Sequence, residues 1–132
     1  MGFKLGKENR KYKTPGNTNL FKRNMEHGTL AQANMDGSID IDVSIDVNSK
    51  EAERIIRHEQ VHIQQMEEGR AAYGDNWIMW EDKIYFRKEE DGIPVIDGPN
   101  GRWPEGHPNH PWEAEAIEAE KTNNTKKINY GI

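Results

Sequence analysis

Two histidines four residues apart, His58 and His62 in His58-Glu59-Gln60-Val61-His62, fall inside a stretch whose apolar residues keep helical period. Ala52, Ile55, Ile56, Val61, Ile63 and Met66 form that stripe, which predicts an amphipathic helix over residues 49–68. Asn48 or Ser49 is the expected N-cap, with capping-box spacing in Asn48-Ser49-Lys50-Glu51, and Gly69 is the expected stop. On such a helix the two imidazoles stack one turn apart and can grip a single divalent ion. Glu59 points to the flank of that face. It is poorly placed to ligate the same ion but well placed to take a proton from a water bound to it. A zinc ion is the expected cofactor.

A His pair leaves zinc short of one protein ligand. There is no Cys in the chain, so neither disulfides nor thiolate sites are available. The candidates are His107 and His110, in a segment dense in Gly and Pro, and Glu113, Glu115, Glu118 and Glu120, on a predicted last helix over residues 111–122 that opens with Pro111. Glu113 lies one turn before Ile117 and shares its apolar side, which favours it as the third ligand; Glu115 is the runner-up. For stabilising an oxyanion the available side chains are Tyr73, Tyr85, His107 and His110. Trp77, Trp80, Trp103 and Trp112 read as core and packing residues.

The rest of the chain predicts strands. Ile39, Ile41, Val43, Ile45 and Val47 alternate with Ser38, Asp40, Asp42, Ser44 and Asp46, the period of a strand with one buried face. The three Asp are read as its solvated face, because they lack the Gly and bidentate Glu of a calcium loop. Asp36-Gly37 is a hairpin dipeptide, and residues 28–33 are a candidate partner strand. Residues 75–88 read as a second hairpin, Trp77-Ile78-Met79-Trp80 against Lys83-Ile84-Tyr85-Phe86-Arg87. Residues 89–111 read as loop. The expected fold class is therefore α+β: a helix bearing the histidines, a second helix bearing Glu113, and a small antiparallel sheet or hairpins.

Charge divides the chain. Residues 1–25 hold seven Lys/Arg and one acid, a net +6, while the other 107 residues carry −11. The expected organisation is a basic extended arm over 1–25, a metal-binding domain over 26–122 and a flexible tail over 123–132. The arm reads as a solvated extension or as a tether to an acidic surface. It has no regularly spaced aromatics of an RNA-binding signature, so nucleic acid is not an expected partner. With 33% hydrophobic residues and no long apolar run, neither a membrane span nor a signal peptide is expected, which points to a cytoplasmic protein.

The run from His58 to Gly69, the aromatic pair of segments Trp77–Trp80 and Lys83–Arg87, and Pro111-Trp112-Glu113-Ala114-Glu115-Ala116 together resemble the gluzincin class of zinc metallopeptidases. More narrowly, they resemble small metallopeptidase-type proteins encoded by tailed bacteriophages and some bacteria, over about residues 28–120. The resemblance implies a minimal zincin-like domain in which His58, His62 and Glu113 bind Zn²⁺ and Glu59 is the general base. It implies a protein or peptide substrate and hydrolysis by a metal-activated water. The alternative is a virion structural or scaffold protein with a structural or vestigial zinc site, its basic arm contacting a phage structural protein. The chain lacks the Asn-Glu-x-x-x-Asp sequence of the large gluzincins.

Overall fold

The predicted helix forms as α1 (Lys50–Glu67), and its ends show why it starts and stops there. Ser49 is extended (φ −90, ψ 164), and its hydroxyl accepts from the Ala52 N–H at 3.0 Å. With Ser49 as N-cap, the third helical residue is Ala52, so the box spacing at Asn48 goes unused. At the other end Gly69 takes φ +78, a conformation glycine adopts without strain. Arg70 N–H reaches Gln65 O and Gly69 N–H reaches Met66 O, the paired bonds of a Schellman stop.

The computed structural model describes residues 11–13, 18–26 and 28–121. Before α1 come β1 (Lys11–Lys13), β2 (Asn19–Arg23), β3 (Ala31–Ala33) and β4 (Ile39–Asp42). After it come β5 (Ala71–Tyr73), β6 (Trp77–Trp80), β7 (Lys83–Glu90), β8 (Ile93–Gly98), β9 (Gly101–Pro104) and α2 (Pro111–Glu120). The architecture is α+β. One sheet has the order β1-β2-β4-β3 and the other is the meander β5-β6-β7-β8-β9. The first sheet is mixed rather than antiparallel, because β4 runs parallel to β2, with Leu20 opposite Ile39. The chain leaves β2, forms the edge strand β3, and turns back through Gly37 (φ +91) to lay β4 between them.

The core explains two departures from the sequence expectation. Leu20 is 2% exposed and packs with Ala33, Ile39, Ile41, Ile45, Ala52, Ile55, Ile56 and Ile63. Residues 19–23 thus belong to the globular body, and the boundary expected at residue 25 does not separate an arm from a domain there. Residues 1–10 and 14–17 of the expected arm, and the expected tail, lie outside the described residues. The strand expected over 38–47 is also cut short at Asp42. The Asp42 carboxylate accepts from the N–H groups of Met25 and Ser44, and the Ser44 hydroxyl also donates to it. These bonds, the Ser44 hydroxyl first, hold its carboxyl down to about 2. Asp46 in turn accepts from Asn48 N–H. Side-chain turns of this kind compete with the strand ladder and end it. Asp40, expected on a solvated face, is buried and paired with Arg23 of β2 at 3.0 Å.

The second hairpin forms as expected, closed by Glu81 and Asp82, both left-handed (φ 50 and 73). Of the loop expected over 89–111, only residues 105–110 are irregular; 89–104 are not a loop. β7 runs on to Glu90, Asp91-Gly92 makes another two-residue turn, and β8 and β9 follow. The glycines and prolines that suggested a loop fall in turns (Gly92) or near strand ends (Pro94, Pro104), where a ladder tolerates them. This sheet packs Ala71, Trp80 and Ile96 against Trp112 of α2. Trp80 and Trp112 are core residues as expected, while Trp77 and Trp103 are only half-buried. Gly98 leaves room for His110, whose Nδ1 would stand 2.9 Å from any Cβ placed there. Met66 of α1 touches both clusters and joins them. No helix among the described residues is long and apolar enough to cross a membrane.

If residues 19–23 are part of the core, Leu20→Ala lowers unfolding stability by about 2–5 kcal/mol in denaturant titrations. A detachable arm would confine the change to about 0.5 kcal/mol.

Candidate metal centre

α1 and α2 cross so that early residues of one meet late residues of the other. Arg57 donates to the Glu120 carbonyl, and Gln65 donates to the Trp112 carbonyl. This antiparallel packing brings Glu113, 9% exposed, over the two histidines. His58 Nε2 lies 2.9 Å and His62 Nε2 3.2 Å from Glu113 Oε1. One ligand atom from each of the three residues falls within 4.8 Å of the others. Tetrahedral zinc with bonds of about 2.0–2.1 Å separates its ligand atoms by roughly 3.3 Å, so the spacing suits such an ion.

The hydrogens around the rings decide what these atoms offer. His58 Nδ1 is 2.6 Å from Glu120 Oε2, which can only accept when ionised. His62 Nδ1 is 3.0 Å from Gln65 Oε1. Gln65 cannot present its nitrogen instead, since that group donates to Trp112 O at 3.1 Å and Glu115 Oε1 at 3.0 Å. Each neutral imidazole therefore keeps its proton on Nδ1 and turns a lone pair, on Nε2, toward Glu113. Three acceptors meet with no hydrogen between them. A positive charge is needed there, either added protons or a cation.

Without a cation the protons come. Burial by itself pulls His62 down, but the hydrogen bond and charge of Glu113 and the charge of Glu59 outweigh it and push His62 up to about 9. His58 is raised as well, burial again opposed by the Glu113 bond and by the Glu59 and Glu113 charges. For Glu113 burial works upward, yet the bonds from His58 and His62 hold it down at about 2.

Glu59 stands one residue from His58, about 100° around the helix. Its carboxylate accepts from the Ala33 N–H of β3, and burial pushes its pKa up against the opposing charges of His62 and His58. It is not in the cluster of three. Tyr73 reaches the same β3 residue, its hydroxyl donating to Ala33 O at 2.7 Å. Among the other residues weighed from sequence, Tyr85 packs on Trp112 and His107 stacks on Trp103. His110 is the N-cap residue of α2, fully buried, stacked on Trp112 and donating to Trp103 O. None of these three joins the cluster.

The runner-up ligand, Glu115, is engaged elsewhere. Two residues beyond Glu113, it points to Arg70, which donates to it twice, at 3.1 and 2.7 Å. Glu118 is exposed. Glu120, seven residues and two turns beyond Glu113, comes back to the same side and accepts the hydrogen bond of His58 Nδ1–H instead of taking a ligand position. Sequence reasoning missed Gln65 altogether. Its signal was its spacing, three residues after His62 and so on the same helical side.

No known family model, no curated protein and no solved structure matches the chain.

The charge balance predicts a pH signature for metal-free protein. His62, raised from 6.5 to about 9, contributes stability that is complete below pH 6.5 and lost as pH rises through 9. Glu113, lowered from 4.5 to about 2, contributes stability present above pH 4.5 and lost as pH falls toward 2. Melting of chelator-treated protein should therefore shift to lower temperature between pH 6.5 and 9, while zinc affinity rises over the same interval as the ion replaces protons. Thermal melts and zinc titrations across that range check both trends; flat profiles would contradict the charge balance.

Proposed function

We propose that the protein is a zinc-dependent peptidase built as a minimal zincin-like domain. The observation that carries the reading is the convergence of His58 Nε2, His62 Nε2 and one carboxylate oxygen of Glu113, which leaves no donor between them when the imidazoles are neutral. His58, His62 and Glu113 would hold the ion; neutral nitrogens and a carboxylate are the ligand chemistry zinc prefers. When bound, zinc acidifies a coordinated water toward a pKa near 7 and polarises a carbonyl oxygen.

The remaining chemistry belongs to side chains of this chain. Glu59 takes the proton of the attacking water on its carboxylate and delivers it to the departing amine nitrogen. Its upward-shifted pKa makes it a stronger base than a solvated glutamate, which suits proton transfer near neutral pH. Glu120 and Gln65 hold the imidazoles in the ligating tautomer. β3 adds support for a peptide substrate. Leu30 O accepts from Asp42 N and Asn34 N donates to Ser38 O, so the groups of Ala31 and Ala33 point away from β4. Both outward groups of Ala33 are already bonded, to Glu59 and to Tyr73, so the edge left for an extended peptide is that of Ala31, beside this pair.

A second reading keeps the ion but not the turnover. The three ligands come from both helices, so a bound ion would also staple α1 to α2 and stabilise the fold. In that case the protein serves as a phage virion or scaffold component, with the basic residues that precede β2 directed at an acidic neighbouring protein.

Glu59→Gln separates the two. In the peptidase it leaves one zinc per chain, by elemental analysis, while hydrolysis of an unstructured protein substrate falls by about 10²–10⁴-fold. Unchanged turnover would remove Glu59 as the base. In the structural role, zinc-loaded wild-type protein cleaves nothing, and His58→Ala sharply lowers the melting temperature.

A further inference from the structure

We propose that Gln65 is a positioning residue of the metal centre, one buried amide that fixes the nitrogen His62 offers and ties down the turn of α2 carrying Glu113. The inference rests on the reading of His58, His62 and Glu113 as a cation site.

Gln65 is only 2% exposed on a helix whose other buried residues are Ala52, Ile55, Ile56 and Ile63. Burying an amide is unfavourable unless its hydrogen bonds are made, so an apolar residue facing Trp112 would be the simpler choice. Here both ends of the amide are used, and they act on different helices. Oε1 accepts from His62 Nδ1 within α1, while Nε2 reaches Trp112 O, the carbonyl of the residue before Glu113. A single side chain is thereby bonded to one proposed ligand and to the backbone next to another.

The amide's direction is set from outside. Nε2 has two acceptors, Trp112 O and Glu115 Oε1, and Glu115 is itself held by both terminal nitrogens of Arg70. Arg70 in turn bonds Glu81 and lies over the Trp80 ring at 4.7 Å. A flipped amide would point its oxygen at a carboxylate and its nitrogen at the His62 N–H. The chain Arg70, Glu115, Gln65 therefore imposes one tautomer on His62. His58 is served differently. Glu120, steadied by Arg54 at 3.6 Å and by Arg57 at its own carbonyl, accepts from His58 in either carboxylate orientation and acts on that ligand alone.

The test uses full-length protein. In zinc-loaded wild-type protein with ¹⁵N-labelled histidine, His62 should show a protonated Nδ1 and a metal-bound Nε2. Ligation through Nδ1 overturns the proposal without any variant. Gln65→Leu removes both functions at similar volume. Its affinity for zinc, measured against a chromophoric chelator, should fall by about 10–100-fold, and the visible spectrum of its Co²⁺ form should change. Gln65→Glu combined with Glu115→Gln restores an acceptor for His62 and a donor facing it, but not the donor to Trp112 O. It should recover the wild-type Co²⁺ spectrum but only part of the lost affinity; a spectrum that stays like that of Gln65→Leu would overturn the tautomer role. A Gln65→Leu protein that binds zinc as tightly as wild type, with the same Co²⁺ spectrum, removes the inference alone. Wild-type protein that takes up neither ion removes the cation site itself, and the inference with it.

Discussion

Two imidazole lone pairs aimed at one carboxylate oxygen are unstable company in a partly desolvated crossing of helices. The arrangement holds only with positive charge at its centre. The need arises from groups one step further out, because Glu120 and Gln65 occupy the Nδ1 protons and leave Nε2 bare. Protons or a divalent ion can both supply the charge, so the packing of α2 on α1 is tied to the state of this one point. An ion satisfies all three ligand atoms at once, which a single proton cannot.

The remainder of the fold can be understood as support for that crossing. α1 serves two cores: its apolar face closes the first sheet, and Met66, near its end, also reaches the second. The stop at Gly69 turns the chain directly into β5, placing Arg70 at the corner between the helices and the meander. From there Arg70 links Glu81, Glu115 and the face of Trp80. Trp112, 2% exposed between His110 and Trp80, anchors the first turn of α2. Glu113 follows it in sequence, so the aromatic core and the carboxylate are positioned by the same residue pair.

Glu59 occupies a different environment from the histidines flanking it. Its side of α1 meets the edge strand, where it accepts from Ala33 N–H while Tyr73 donates to Ala33 O. Both outward groups of this strand residue are thus occupied by side chains lying next to the proposed reaction centre.

Local patterns carry through wherever neighbours in sequence are also the partners. The helix around His58 and His62, its stop at Gly69, the hairpin at Glu81-Asp82 and Pro111 at the start of α2 depend on spacing, capping and turn chemistry within a few residues. That Glu113 rather than Glu115 would face the histidines was legible because residues two apart on a helix face different ways. What failed was read against local composition. Asp91-Gly92 is a hairpin dipeptide, but the surrounding Gly and Pro masked β8 and β9. Asp40 looked solvated until Arg23, from a strand 17 residues earlier, covered it. Residues 19–23 looked like part of an arm because their burial depends on β4 and α1. The roles of Gln65 and Glu120 belong to the same class. The amino-acid sequence determined which side chains could ligate and on which helical side they stand. Only the tertiary structure decided which protons are spoken for, since hydrogen-bond partners 47 to 62 residues apart are assigned by helix packing, which no local pattern encodes.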